Sequence, residues 1–317
     1  MVLMNASSFL INLEKWSNKK MNKIRYVFLA CIFCSSVEAV ETSLTSQTYD
    51  INSISFVEKV AAGGAISISA VLNTGEIKGK ILIPDICEPE GGNPQIVHTF
   101  KKSHSQSNGG ILALTCKYFI NHSGLGIKGN LYQAKIYEIN ENDFLELRPL
   151  EKELSGYEGS SESGLYSYYF YTSKDSFSQK LNLLLDGQKS DSLTLAHAIA
   201  MERLATGDSD AIASYLSEDK INELIAIYPI TPARAAPYND IGFALAESGK
   251  NEEALSLLLS IEKVTPNRTV LLLNIADAYW PSDKTKAKEY YLRYYDSMIA
   301  VGKEKLIPPR VYERSNH

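Results

Sequence analysis

The sequence predicts an α+β chain of two domains, an antiparallel β-sandwich or partial barrel followed by α-helical hairpins. Three observations predict it. From about Ser53 to Leu150, short runs rich in Ile, Val, Tyr and Thr are broken by Gly, Asn and Pro, with no helical period between them. From Ser192 onward, apolar residues recur at helical spacing. The chain has 317 residues and 44% apolar content, enough to bury a sizeable core. The expected divisions are a leader at 1–39, a β-rich domain at 40–150, a loop, aromatic strand and crossing helix at 151–190, and a helical domain at 191–317.

The leader carries a targeting pattern. Lys19, Lys20, Lys23 and Arg25 precede the apolar run Tyr26–Cys34, and Val37-Glu38-Ala39 fits a small-x-small cleavage site. That run is too short to span a bilayer, which takes about 20 apolar residues. A secretory signal cleaved after Ala39 follows, with the product in the periplasm or secreted. Met21 is a more natural start than Met1, because residues 1–20 only lengthen the basic region. Lipid attachment through Leu29-Ala30-Cys31 is the weaker alternative, since Phe28 stands where that pattern wants Leu. Residues 1–39 hold five basic and two acidic residues while the whole chain is −5, so the remainder stands at −8. An acidic surface without basic clusters argues against nucleic acid and anionic membrane as partners.

In the β-rich part the expected strands are Ile54–Val60, Ala65–Val71, Glu76–Ile83, Gln95–Lys101, Ile111–Ile120, Gly129–Ile139 and Phe144–Arg148, with a tight turn at Asn73-Thr74-Gly75. Of four cysteines, Cys31 and Cys34 leave with the signal. Cys87 and Cys116 remain, and a single pair in an exported chain predicts a disulfide joining the third strand region to the fifth. Cys116 alternates with Leu112, Leu114 and Tyr118, and Cys87 with Ile81 and Ile83, so both point to the apolar side.

Two patterns here are decoys. Gly124-Leu125-Gly126-Ile127-Lys128-Gly129 spells GxGxxG, but a dinucleotide site needs a helix after the glycines, and strand formers follow instead. His98, His104 and His122 form no HxH or HxxxH pair, which predicts scattered surface histidines and no metal site. Gly159–Gly164 lacks the spacing of a serine nucleophile turn. No cofactor, metal or catalytic residue is expected.

Glu151–Ser163 reads as a loop and Gly164–Thr172 as a further strand, or as an aromatic ledge at Tyr166–Tyr171 offered to a glycan. Ser176–Gln188 reads as a crossing helix with Phe177, Leu181, Leu184 and Leu185 on one face. Helices are expected from Ser192 to Gly207, over Asp208–Leu216, over Glu218–Tyr228 with Ser217 as N-cap, and over Ala287–Val301. The stretch Leu306-Ile307-Pro308-Pro309 is expected to close the chain as an extended cap.

Between Tyr238 and Tyr295 one pattern occurs twice. Ile241-Gly242, Leu245, Ala254, Leu258, Ile261 and Pro266-Asn267 are followed about 34 residues later by Ile275-Ala276, Tyr279, Ala287, Tyr291 and Tyr294, once one turn residue is removed. Over about 236–301 this resembles the tetratricopeptide repeat. The resemblance implies a solenoid of helix pairs, with small residues at the close crossings and a groove lined by the first helix of each unit. It assigns Asn239, Asp240, Phe243 and Glu247 to that groove from one unit, and Leu273, Asn274, Asp277 and Trp280 from the next. Lys and Arg are absent from these positions, which puts a carboxylate-clamp variety in doubt. Asparagines, acids, Phe243 and Trp280 suit a basic or apolar protein surface, although Phe243 and Trp280 also fit plain helix packing.

The expected function is an exported, non-enzymatic protein-binding scaffold, one version being an immunity-type inhibitor of an envelope toxin or hydrolase. The alternatives are a cell-wall or glycan-binding module and an unrecognised hydrolase.

Overall fold

The computed structural model describes residues 54–73, 80–103, 110–140 and 143–315. The leader, the Asn73-Thr74-Gly75 turn beyond Asn73, and His104 lie outside them.

The front part holds two antiparallel sheets. Strands β1 (Ile54–Val60), β2 (Ile66–Asn73) and β3 (Lys80–Cys87) form one in the order β1-β2-β3. Strands β4 (Gln95–Ser103), β5 (Gly110–His122), β6 (Ile127–Ile139), β8 (Gly156–Ser160) and β9 (Tyr166–Ser167) form the other in that order, with β7 (Phe144–Glu146) also paired to β6. The sheets share one apolar core, with Ile68, Ala70, Leu72, Ile81 and Ile83 on one side and Leu112, Leu114, Tyr118, Tyr137 and Ile139 on the other.

The opposite face of the larger sheet is covered by helices α1 (Arg148–Leu154) and α2 (Lys174–Leu185), through Leu154, Phe177, Leu181 and Leu184. Strand β5 therefore sits in the middle of three layers. That explains why its first half, Gly110–Cys116, is buried at every position instead of at alternate ones.

The disulfide between Cys87 and Cys116 joins the sheets through this core, from β3 to β5, with Cα atoms 5.8 Å apart. Cys87 does not reach the core by strict alternation from Ile83. Asp85 takes a left-handed φ of 45° and donates its N–H to Ser69 Oγ at 3.0 Å. The register shifts there, so Ile86 and Cys87 are both buried.

Most of Glu151–Ser163 is not a loop, since α1 runs to Leu154 and β8 covers Gly156–Ser160; only residues 161–163 turn. The reason is non-local. Strand β6 pairs with β7 through Tyr137–Ile139 and with β8 through Lys128–Tyr132, which leaves the edge between them open. There Ser155 Oγ accepts from Ala134 N (2.9 Å) and Glu151 Oε1 from Ile136 N (2.8 Å), so side chains from α1 and its end stand in for a strand. Gly129, the third glycine of the GxGxxG run, faces Gly159 across β6 and β8. A methyl group on it would meet Gly159 Cα at 2.6 Å, so that glycine serves strand packing. Only Tyr166 and Ser167 of the expected strand Gly164–Thr172 are strand.

Helices follow: α3 (Leu193–Ala205), α4 (Ser209–Tyr215), α5 (Glu218–Ile227), α6 (Ala235–Glu247), α7 (Asn251–Glu262), α8 (Thr269–Tyr279), α9 (Lys284–Ala300) and α10 (Pro309–Ser315). Ser217 caps α5 by accepting from Lys220 N, as its position implies. Helices α6 with α7, and α8 with α9, pack as neighbours, while α3, α6 and α8 lie side by side in that order. Gly242 permits the first pairing: a methyl group there would stand 2.5 Å from Leu258 Cδ2. The end of the chain does fold back over α8 and α9, but as a helix and not as an extended segment. Pro309 opens α10, whose Val311 is fully buried against α8 and α9 together with Ile307.

Candidate functional site

The side-by-side arrangement of α3, α6 and α8 produces a polar seam across them. Asn274 Nδ2 on α8 donates to Asn239 Oδ1 on α6 at 3.1 Å. Asn239 Nδ2 donates to the neighbouring Asp240 Oδ1 at 3.2 Å, and Asp240 Oδ2 meets His197 Nε2 of α3 at 3.0 Å. Four residues on three helices thus form one hydrogen-bonded chain. Asn239 and Asn274 are buried, so each satisfies the other and neither is presented outward. Asp240 and His197 are partly open, at 43% and 31% side-chain exposure.

On α6 the residues Asp240, Phe243 and Glu247 are three and four apart, so they share one face. Phe243 is half-buried and Glu247 exposed. With His197 beside Asp240, this face offers two carboxylates, an imidazole and an aromatic ring.

The C-terminal candidates are covered by the chain itself. Asp277 accepts from Arg310 Nη2 (2.7 Å) and Nε (3.0 Å), from Arg314 Nη1 (3.3 Å) and from the Tyr291 hydroxyl (2.6 Å). Burial, reinforced by the bond to Asp277, pushes the Tyr291 phenol up to about 12. Arg314 also lies over the Trp280 ring, 4.6 Å from its centroid, and Lys284 lies 5.5 Å from it. Of the eight expected groove residues, then, Asn239 and Asn274 bridge helices, Asp277 and Trp280 hold α10, and Asp240, Phe243 and Glu247 remain at the surface. Leu273 is half-buried in the cluster around α9 and α10.

His197, Arg310 and Arg314 were not among the sequence candidates. His197 precedes Asp240 by 43 residues, because α4 and α5 lie between α3 and α6, so no repeat frame finds it. The arginines stand beyond the second unit altogether.

A second polar cluster locks the helices onto the front part. Asp191 is 3% exposed and accepts from Lys180 Nζ (2.7 Å), Tyr215 OH (2.8 Å) and Tyr171 OH (3.1 Å), with Lys220 Nζ 3.1 Å away. Burial raises its pKa, but the two lysines and Tyr215 outweigh that and hold the carboxyl below the usual carboxylate range. Tyr215 and Tyr171 are pushed far up by burial and then by the Asp191 charge, so both remain donors. Every group in this cluster has a partner, and it reads as a joint.

His98 is not a surface residue. It is 9% exposed, bonded through Nε2 to Thr115 Oγ1 at 3.1 Å, with its ring 4.7 Å from that of Phe177. Burial, helped by the Lys174 charge, holds it down to about 4, so it stays a neutral core residue. The glycines before Gly129 lead from a 3-10 turn at Ser123–Leu125 into β6 and meet no helix. Among the described residues no three His, Cys, Asp or Glu side chains gather as metal ligands, and no helix is long and apolar enough to cross a membrane.

Of the aromatic run, Tyr169 and Tyr171 turn inward, bonding Leu154 O and Asp191, while Tyr166 is exposed and Tyr168 half-buried. A ledge running through Tyr171 is therefore not what the chain presents. No protein-family model matches the sequence, and no curated protein matches it as a relative.

Proposed function

We propose that the chain is an exported, non-enzymatic protein-binding scaffold whose helices stack as tetratricopeptide-like pairs. In this reading the face made by His197, Asp240, Phe243 and Glu247 meets the partner. The observation that carries it is the bridge between Asn239 and Asn274. These residues stand at adjacent positions of two successive units, since the 34-residue frame matches Asn239 to Leu273 and Asp240 to Asn274, and across 35 residues of chain they touch. The first helices of successive units then run side by side, as a repeat array requires, and their common face continues through Asp240 to His197.

The chemistry of that face names the kind of partner. Two carboxylates flanking a half-buried aromatic ring complement a basic surface with an apolar centre, and aromatic anchors of this kind carry much of the energy of protein interfaces. Export is supported by the leader pattern and by the disulfide, which suits an oxidising compartment. A narrower form of the proposal is an inhibitor of a toxin or hydrolase reaching that compartment.

Affinity capture from an envelope extract tests the proposal. The wild type should retain a discrete protein that both Phe243→Ala and Asp240→Lys release, each variant keeping its wild-type melting curve. Capture unchanged by both substitutions would contradict it.

A further inference from the structure

The segment after β8, with Tyr215 of α4, sets four aromatic rings in one row. Tyr166 and Tyr168 have centroids 4.9 Å apart, Tyr168 and Phe170 6.3 Å, and Phe170 and Tyr215 4.7 Å. The inner two rings each hold a cation from the chain. The Arg203 guanidinium lies 5.7 Å from the Phe170 centroid, and Lys220 Nζ 5.7 Å from that of Tyr215. Among the described residues the outer two rings hold none, although Tyr166 is 54% exposed and Tyr168 is half-buried.

The electrostatics at this outer end are unbalanced. The charges of Glu158 and Asp208 reach Tyr166, and those of Asp210 and Asp208 reach Tyr168. Arg203 is the positive group there, and it is bound to Glu158 Oε1 (2.7 Å), Asp208 Oδ2 (2.9 Å) and the Tyr169 carbonyl. One guanidinium against three carboxylates leaves a negative surplus, with Asp210 exposed at the start of α4. Two ring faces beside surplus carboxylates are the ingredients of cation recognition.

The angle between the rings argues against a sugar. Tyr166 and Tyr168 are inclined to each other by 50°, so they make no flat shelf for a sugar ring, whereas a cation needs only one exposed ring face with carboxylates near it. We propose that the Tyr166–Tyr168 pair, with Asp208 and Asp210 beside it, binds a lysine or arginine side chain of a protein partner. It continues outward the pattern that Arg203 and Lys220 set on the inner rings. This site does not depend on the α6 face, and variants of one leave the other intact.

Calorimetric titration of the full chain with hexalysine, and separately with the neutral sugar chitohexaose, tests it. The double variant Tyr166→Leu, Tyr168→Leu removes both rings without changing charge and should weaken hexalysine roughly fivefold to twentyfold. The double variant to Phe keeps the ring faces and should bind within about twofold of wild type. Asp210→Asn, at an exposed position, should weaken hexalysine several-fold whether or not the leucine variant folds. Hexalysine binding unchanged by Tyr→Leu and by Asp210→Asn would overturn the proposal. So would chitohexaose binding that depends on the rings while hexalysine binding does not.

Discussion

The two halves of this molecule are fastened in different ways, although the front half also buries one polar pair, His98 with Thr115, on the helix-covered face of its larger sheet. The sheets of residues 54–167 keep their shared core apolar and fasten it with a disulfide, with side chains of α1 and Ser155 closing the one open edge of β6. The helices from Leu193 onward use no covalent link. They bury Asn239 and Asn274, and the joint that ties them to the sheets, made by α2 and the segment before α3, buries Lys180 and Asp191. An apolar core sets shape by volume and tolerates substitution of similar size. A buried polar chain works only when every member finds its partner, and so it fixes register. The comparison teaches that the front half is built to endure, whereas the rear half holds helices in a defined order beneath a surface that is still free.

Substitution at the joint breaks this contrast most severely. Asp191→Ala leaves Lys180, 7% exposed at its side chain, with its charge uncompensated. Removing one partner of a buried ion pair costs about 3–5 kcal/mol. At about 2–4 °C per kcal/mol for a chain of this size, thermal unfolding should fall by roughly 10 °C. A shift under a few degrees would show that the cluster is not the joint.

The disulfide comes next. It spans 29 residues, and replacing both Cys87 and Cys116 by Ala should cost about 3–4 kcal/mol by the chain-entropy account. If the front half is the one held covalently, denaturant unfolding followed by the disulfide-free sheets should shift by that amount. The hydrogen exchange of α8 and α9 should change less.

His98 supplies a pH test confined to the front half. Its folded pKa, about 4, lies below the ordinary 6.5, so between these values the unfolded chain takes a proton that the folded chain refuses. Stability from this group is full above 6.5 and is lost as pH falls toward 4, by up to about 3 kcal/mol. Denaturation midpoints measured across that window should slope for the wild type and flatten in His98→Gln. Equal slopes would remove His98 as the cause.

The smallest effect expected is at the helix crossing. Gly242→Ala forces a methyl group against Leu258 and should cost about 1–3 kcal/mol. Because the clash is with a side chain, Leu258→Ala should absorb part of it, so that the double variant loses less than the two single losses combined. Additive losses would place the strain elsewhere.

Local signals made much of this fold legible. Strand β1 coincides with the run Ile54–Val60, Ser217 caps the helix it precedes, and the cysteine pair follows from count and compartment. Illegible features were those whose cause lies far off in the chain. Ser155, Gly156, Gly159 and Ser160 have loop composition, yet β6 recruits α1 and β8 to its edge. Two prolines at 308 and 309 suggest a chain that stops, yet Pro309 begins a helix because its missing amide costs nothing there. At the candidate site the repeat frame found Asn239, Asp240, Asn274 and Asp277. It could not say that the asparagines bond each other or that Asp277 faces Arg310 and Arg314, since those arginines lie outside the frame.

The most direct measurement is site-specific photocrosslinking. A benzoylphenylalanine in place of Phe243 is compared with one in place of Leu82, which is exposed on the smaller sheet. From an envelope extract, position 243 should yield a discrete adduct that Asp240→Lys abolishes, while position 82 yields none. Identical adducts from both positions, or none from 243, would contradict the claim that the α6 face is where this protein meets its partner.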